Sequence, residues 1–161
     1  MGAIVIHSGF MKIKTDKKIN DAYKSQLKVK RGVNGLGLFT FGPIKKSDYI
    51  IEYFGPLLND EQVQERGGKY LFEIRKNKTI DGTDRKNIAR YINHSCRPNC
   101  EVEIKKERVL IYAKRGIQPE EELNYDYGKE YWNEYIKPKG CRCAKCKEKE
   151  LLTKNKSTNG A

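Results

Sequence analysis

Apolar and polar residues alternate in short runs along most of this chain. Leu27-Lys28-Val29-Lys30 alternates as a half-buried strand does. Tyr49-Ile50-Ile51-Glu52-Tyr53-Phe54 is aromatic and β-branched, and Gly55-Pro56 stops it. Lys69 to Ile74 sets Tyr70, Phe72 and Ile74 on one strand face. A polar turn over 75–78 leads into Thr79-Ile80-Asp81, another short strand. Val102 and Ile104, then Val109 and Ile111, alternate with charges about Lys106-Glu107, a hairpin pattern. Only Asn59 to Arg66 carries helix signals, with Asn59 or Asp60 to cap it and Gly67-Gly68 to end it. Short, closely spaced strands with few short helices predict a mainly β fold. Residues up to about Asp21 mix short apolar runs with Lys12, Lys14, Lys17 and Lys18, and read as an extension with room for one strand.

Two stretches break the periodicity. Gly32 to Phe39 is glycine-rich, so its backbone can turn sharply or approach a ligand. No helix pattern follows, which excludes a phosphate-cradling dinucleotide loop, and a hairpin turn is the plain reading. Ala89-Arg90-Tyr91-Ile92-Asn93-His94-Ser95-Cys96-Arg97-Pro98-Asn99-Cys100 sets polar groups where a core element would place apolar ones. Pro98 disfavours helix at Arg97, so this run is a loop, and loops concentrating Asn, His and Cys serve binding or chemistry more often than packing. Further on, an acidic run (Glu120 to Glu122) precedes Leu123-Asn124-Tyr125-Asp126-Tyr127, an aromatic segment (Tyr131, Trp132, Tyr135) and the linker Lys137-Pro138-Lys139-Gly140.

The 161 residues suffice for one domain with appendages. A net charge of +12 favours acidic partners, although a solvated surface accounts for the charge equally well. Five cysteines, Cys96, Cys100, Cys141, Cys143 and Cys146, are too few and too bunched for a disulfide framework; they suit metal ligation in a reducing compartment. Ala3 to Ile6 is apolar but short and lacks a basic lead-in, unlike a signal peptide, and no segment is long enough to span a membrane. Ile6 stands where an N-myristoylation signal needs Ser or Thr. The end of the basic tail after Lys147 has no sustained apolar period and is expected to be disordered.

Taken together, these motifs resemble the SET-domain protein lysine methyltransferases. Gly35-Leu36-Gly37-Leu38-Phe39 looks like the family's glycine motif, and Glu52-Tyr53-Phe54-Gly55 like its Glu-Tyr-x-Gly strand. Asn87 to Asn99 is close to the full family signature, and Glu121 to Tyr127 matches the closing motif. Cys141-Arg142-Cys143 with Cys146 resembles a post-SET cluster, with a shorter last gap than many members have. Tyr91 stands where Phe is usual, and no cysteine-rich segment precedes Gly32. The resemblance implies small curved sheets with a knot-like C-terminal threading. It divides the chain into an extension (1–24), a SET domain (25–128) and a post-SET segment with basic tail (129–161).

It also implies an activity: methyl transfer from S-adenosylmethionine to the ε-amine of a lysine in an extended segment of a histone or another basic protein. By position, Tyr127 and Tyr53 would be catalytic, with Tyr70, Phe72 and Tyr125 lining the lysine channel. Asn34, Gly35, Leu36, Gly37, Tyr70, Asn93 and His94 would hold the methyl donor. Cys96, Cys141, Cys143 and Cys146 would ligate one structural zinc. Tyr at 125, where the family alternates Tyr and Phe, implies mainly mono-methylation. Arg90 would pair with an acid or steady its loop, which the sequence does not decide. The basic tail could touch nucleic acid, yet Glu148 and Glu150 and the lack of interleaved aromatics favour a solvated extension. No membrane role is implied. The compartment would be intracellular: nuclear or chromatin-associated in a eukaryote, cytoplasmic or delivered to a host in a microbe. The rival reading is an inactive module that holds methyl-lysine in its aromatic cage; a methyltransferase for a non-histone protein is a further one.

Overall fold

A two-residue turn, Val33-Asn34, joins β2 and β3 in the computed structural model, which describes residues 4–5 and 21–158. The lysines at 12, 14, 17 and 18 lie outside the described residues. Within the extension, β1 (Ile4–Val5) is a short strand. β2 (Leu27–Gly32) and β3 (Gly35–Thr40) pair antiparallel, with Leu27 opposite Thr40 and Gly32 opposite Gly35. The glycine-rich stretch is therefore mostly strand. Gly35, at φ 98°, supplies the positive dihedral beside the turn.

β4 (Tyr49–Tyr53) is followed by β5 (Leu57–Leu58), α1 (Asp60–Arg66), β6 (Leu71–Arg75) and β7 (Lys78–Asp81). The order β1-β6-β7-β5 makes the largest sheet, with β1 lying parallel on the edge of β6. α1 begins as the sequence predicts. Asn59 Oδ1 accepts from the Gln62 amide at 2.8 Å, and Gln62 Oε1 accepts from the Asn59 amide at 2.9 Å. None of its residues is buried, so local capping does much of the work of holding it.

A 3₁₀ turn at Ile88–Tyr91 leads into β8 (Asn93–His94). β9 (Cys100–Lys105) and β10 (Arg108–Ala113) form the predicted hairpin. Its turn residues Lys106 and Glu107 sit at φ 49° and 62°, the two positive dihedrals a tight hairpin turn needs. β10 also pairs with β4, making the sheet β4-β10-β9. Leu38, Ile50, Phe72, Ile92, Ile111, Ile117 and Leu123 fill the core between the sheets.

β11 (Asn124–Tyr125) pairs parallel with β8, Asn124 opposite Asn93 and Tyr125 opposite His94. On its other side the same segment is tied to β3: Leu123 N–H donates to Leu38 O at 2.8 Å, and Thr40 N–H to Glu121 O at 3.1 Å. The closing segment thus runs between β3 and the Asn-His loop, the knot-like insertion expected. Asn99 and Asn124 lock it. Each side-chain Oδ1 accepts the other's backbone N–H, at 2.9 and 3.1 Å, and the Asn99 side-chain amide donates to Glu122 O at 2.9 Å.

Beyond Gly128 the chain makes α2 (Lys129–Tyr131), a π turn (Trp132–Ile136), a 3₁₀ turn (Lys137–Lys139) and α3 (Ala144–Thr158). The basic tail after Lys147 is helical as far as Thr158, and the expectation of disorder concerned its end. Lys, Glu and Leu are good helix formers, so α3 continues without an apolar face to bury. Residues 159–161 lie outside the described residues.

Asn99 is buried, so Asn99→Ala should strand the Asn124 N–H and cost about 2–3 kcal/mol. Urea denaturation of the variant against the parent chain measures it.

Candidate active site

Two cavities meet at the loop. One, about 410 Å³, is lined by Asn34, Asn93, His94, Tyr127, Tyr131 and Tyr135 among others, and reaches Cys141 and Cys143. The other, about 390 Å³, is lined by Leu36, Tyr53, Tyr70, Arg90, Tyr125 and Tyr127 among others. Asn34, Asn93, Tyr127 and Tyr131 border both. Loop, hairpin tip and closing segment are far apart in sequence, and the β8–β11 pairing brings them together.

The smaller cavity is an aromatic chamber. Tyr125 packs against Tyr127 with ring centroids 5.0 Å apart, and Phe72 against Tyr53 at 5.4 Å. Phe72 is fully buried and stands behind the wall, backing Tyr53 and Tyr125. Tyr53 donates to the Tyr70 carbonyl at 2.6 Å, and Tyr127 to the Ile92 carbonyl at 2.7 Å. Each hydroxyl proton is thereby spoken for, and its oxygen lone pairs remain. Burial, above all, pushes the phenols of Tyr53, Tyr125 and Tyr127 well above their usual value. All three are neutral at physiological pH, so they hold and orient ligands and cannot serve as phenolate bases. Arg90 stacks on Tyr70, its guanidinium carbon 3.6 Å from the ring centroid, and donates to the Thr83 carbonyl. It therefore steadies the loop without pairing to a carboxylate.

Gly35 and Gly37 lie in β3 rather than in a flexible loop, and it is their neighbours Asn34 and Leu36 that reach the cavities. His94 joins the larger cavity to the cysteines. Its Nδ1 accepts the Tyr127 backbone N–H at 3.2 Å, which leaves the ring proton on Nε2, 3.4 Å from Cys96 Sγ. Burial lowers its pKa, partly opposed by Asp126, which keeps the ring neutral. Trp132 packs on His94 at 5.3 Å, and Tyr131 bridges Tyr127 and Tyr135 at 5.1 and 4.9 Å. Sequence reasoning assigned no role to Tyr131, Trp132 or Tyr135; their density just after the Tyr-Asp-Tyr motif was the available signal.

Cys96, Cys141, Cys143 and Cys146 converge, all four sulfurs within 4.8 Å of one another. Cys96 Sγ lies 3.9 Å from Cys141 Sγ and 3.8 Å from Cys146 Sγ. Four sulfurs bonded at about 2.3 Å to a tetrahedral zinc would stand about 3.8 Å apart, so the set fits a metal. Cys143 leads in ionising. Burial raises its thiol, but backbone N–H groups of Cys96 and Cys146 outweigh this and bring it down to about 7. Burial pushes Cys141 up to about 11 and Cys96 further. A divalent cation would reverse that reluctance. Cys100 points away, buried, with its thiol donating to Asn99 Oδ1 and its pKa pushed by burial to about 12. It is an inert core thiol.

Two acids of the run Glu120 to Glu122 are used internally. Glu121 pairs with Arg115 at 2.6 Å, and Glu122 accepts from the Asn93 side chain at 2.7 Å.

Residues 35–128 match the family model for the SET domain. The chain belongs to this family. It is 35% identical over 146 residues to the histone-lysine N-methyltransferase trr of Drosophila melanogaster, covering 82% of this chain and 6% of that protein. It is 43% identical over 108 residues to the H3 lysine-4 specific histone-lysine N-methyltransferase of Aspergillus oryzae, covering 59% of this chain and 9% of that protein. A similar match, 39% over 108 residues, covers 59% of this chain and 8% of the histone-lysine N-methyltransferase ATXR7 of Arabidopsis thaliana. The chain thus spans about a tenth or less of the length of these curated relatives.

Gly82 has no room for a side chain: a Cβ there would stand 2.2 Å from the Tyr53 hydroxyl and 2.4 Å from its ring carbon. Gly82→Ala should displace this wall and destabilise the chain by about 1–3 kcal/mol, read from its denaturation midpoint.

Proposed function

We propose that the chain is an S-adenosylmethionine-dependent protein-lysine N-methyltransferase acting on an extended lysine-containing segment of a histone or another basic protein. The observation that carries this reading is the meeting of the two cavities at Asn93 and Tyr127. One has room for a nucleoside-sized donor; the other, of similar volume, is walled by aromatic rings suited to a lysine stem. Bound in the larger cavity, the donor supplies an electrophilic methyl group on a cationic sulfur.

The lysine must arrive neutral. At pH 7.4 that costs about 4 kcal/mol for a free amine. The chamber's aromatic walls desolvate the ammonium, and such burial shifts a pKa by up to ~3–5 units. A cationic sulfur nearby adds to the shift. Tyr127 and Tyr53, neutral and fixed by their bonds to Ile92 and Tyr70 carbonyls, offer oxygen lone pairs that orient the amine. A Tyr hydroxyl at 125 narrows the chamber and supports a mono-methyl product. Aromatic faces also accommodate the cationic product. The domain division at 24/25 and 128/129 follows the same reading.

Cys96, Cys141, Cys143 and Cys146 would hold one zinc as a structural brace, tying the post-SET segment to the loop. The names of the relatives support a chromatin setting and hence a nuclear location. Nucleic-acid contact through the basic tail draws support from its charge alone. Among the described residues, no helix is long and apolar enough to cross a membrane.

Radiolabelled methyl transfer to histones should be detectable and should fall at least about 100-fold in Tyr127→Phe. Transfer should rise about tenfold per pH unit below the pKa of the enclosed amine, because only the neutral form reacts. Mass spectrometry should show mono-methyl-lysine as the main product; donor binding without transfer to any substrate would favour the methyl-lysine-holding module. Purified protein should contain about one zinc per chain. Cys143→Ser should lose the zinc, and metal content near zero in both proteins would refute the brace.

A further inference from the structure

Glu122 takes no part in the reading above, yet its carboxylate lies against Asn93, one of the residues that border both cavities. We propose that Glu122 is a positioning residue: it locks the Asn93 amide with its carbonyl oxygen toward the donor cavity, and Gly32 and Gly37 are glycines because its carboxylate needs the space. This rests on the methyltransferase reading for the identity of the ligand.

The Asn93 side-chain nitrogen donates to the Leu36 carbonyl at 3.1 Å and to Glu122 Oε1 at 2.7 Å. A carbonyl and an ionised carboxylate can only accept. Turning the amide over would set its oxygen against both acceptors, so a single orientation survives. Both N–H hydrogens are then consumed, and only Oδ1 remains to meet a ligand. Asn93 can therefore take a hydrogen-bond donor such as an ammonium, amine or hydroxyl. The carboxylate of the methyl donor is excluded from that contact.

Space is the second, independent observation. A Cβ at Gly37 would stand 2.3 Å from Glu122 Oε1 and 2.8 Å from its Cδ, and one at Gly32 would stand 2.9 Å from Oε2. Neither glycine has a positive φ, unlike Gly35 at 98°. Backbone freedom does not call for glycine at 32 or 37; room for the carboxylate does, together with room for the Phe39 ring, which a Cβ at either position would meet at 3.1 Å. The Glu122 backbone is held separately, its carbonyl accepting from the Asn99 and Asn124 side chains at 2.9 and 3.0 Å. The side chain can thus be changed without releasing the closing segment.

Calorimetric titration of the full chain with S-adenosylhomocysteine tests this. Glu122→Gln keeps the shape but removes the charge and can also donate, so the Leu36 carbonyl alone still demands the Asn93 N–H and the hold on the amide weakens; Kd should rise about tenfold, the scale of one charge-assisted hydrogen bond. Glu122→Ala should weaken binding at least as much, and Gly37→Ala should weaken it by pushing the carboxylate aside. The double variant Gly37→Ala/Glu122→Ala should bind no worse than Glu122→Ala alone, because the clash has gone. Urea midpoints of Glu122→Gln and the parent chain should agree. In methyl transfer, the donor KM of Glu122→Gln should rise while kcat stays within about threefold, since a ground-state contact is lost. Kd values for Glu122→Gln and Glu122→Ala within twofold of the parent would overturn the lock and leave the methyltransferase reading standing. Strictly multiplicative effects of the Gly37 and Glu122 changes would overturn the spatial argument. A parent chain that binds no S-adenosylhomocysteine would overturn both the lock and that reading.

Discussion

The insertion of residues 121–127 between β3 and the Asn-His loop is the constraint on which the site depends. The segment is bonded on both flanks, to Leu38 and Thr40 on one side and to Asn93, His94, Ser95 and Asn99 on the other. Leu123 and Tyr125 are buried by it, so withdrawal would cost apolar burial as well as hydrogen bonds. Unpaired backbone groups left behind would cost about 1–3 kcal/mol each. Insertion also brings Tyr125 and Tyr127 to the chamber, gives His94 its Tyr127 partner and carries Glu122 to Asn93. One segment thus contributes wall to both cavities.

The sulfur cluster extends that dependence. Cys96 sits in the loop and Cys141, Cys143 and Cys146 lie beyond the closing segment, so a metal there would close a long stretch of chain over the inserted residues. His94 ties the two features, its ring lying between the Tyr127 backbone and Cys96. The exposed Arg97–Glu148 pair, at 3.0 Å, spans the same gap but contributes little in water. The convergence of the four sulfurs, rather than this surface pair, marks where the residues beyond Gly128 meet the loop.

Burial explains the electrostatic character of the site. The tyrosine hydroxyls lie in an aromatic wall, so their phenols stay protonated, and Tyr53 and Tyr127 direct theirs to backbone carbonyls. The cation a lysine brings is disfavoured in the same surroundings. One physical cause, removal of water by packed rings, keeps the wall neutral and favours the neutral amine.

Short-range chemistry was legible in the residues. Alternation marked β2, β6, β9 and β10, aromatic and β-branched residues marked β4, Asn59 or Asp60 marked the start of α1, and Lys106-Glu107 marked a hairpin. Motif order identified the loop, the closing segment and the four cysteines that converge, because each motif is local. What the residues did not disclose came from distance. Gly32 to Phe39 read as a simple hairpin turn, and only the tertiary fold sets the Glu122 carboxylate against Gly37. Glu120 to Glu122 looked like an exposed acidic run, whereas Arg115 and Asn93 take up two of its carboxylates. Phe72 alternated correctly for a channel residue, yet packing sets it behind Tyr53 and Tyr125. The sequence by itself determined which groups exist and which short segments form. Tertiary structure alone decided which of those groups face a cavity, because that depends on contacts between residues dozens of positions apart, and no local period records them.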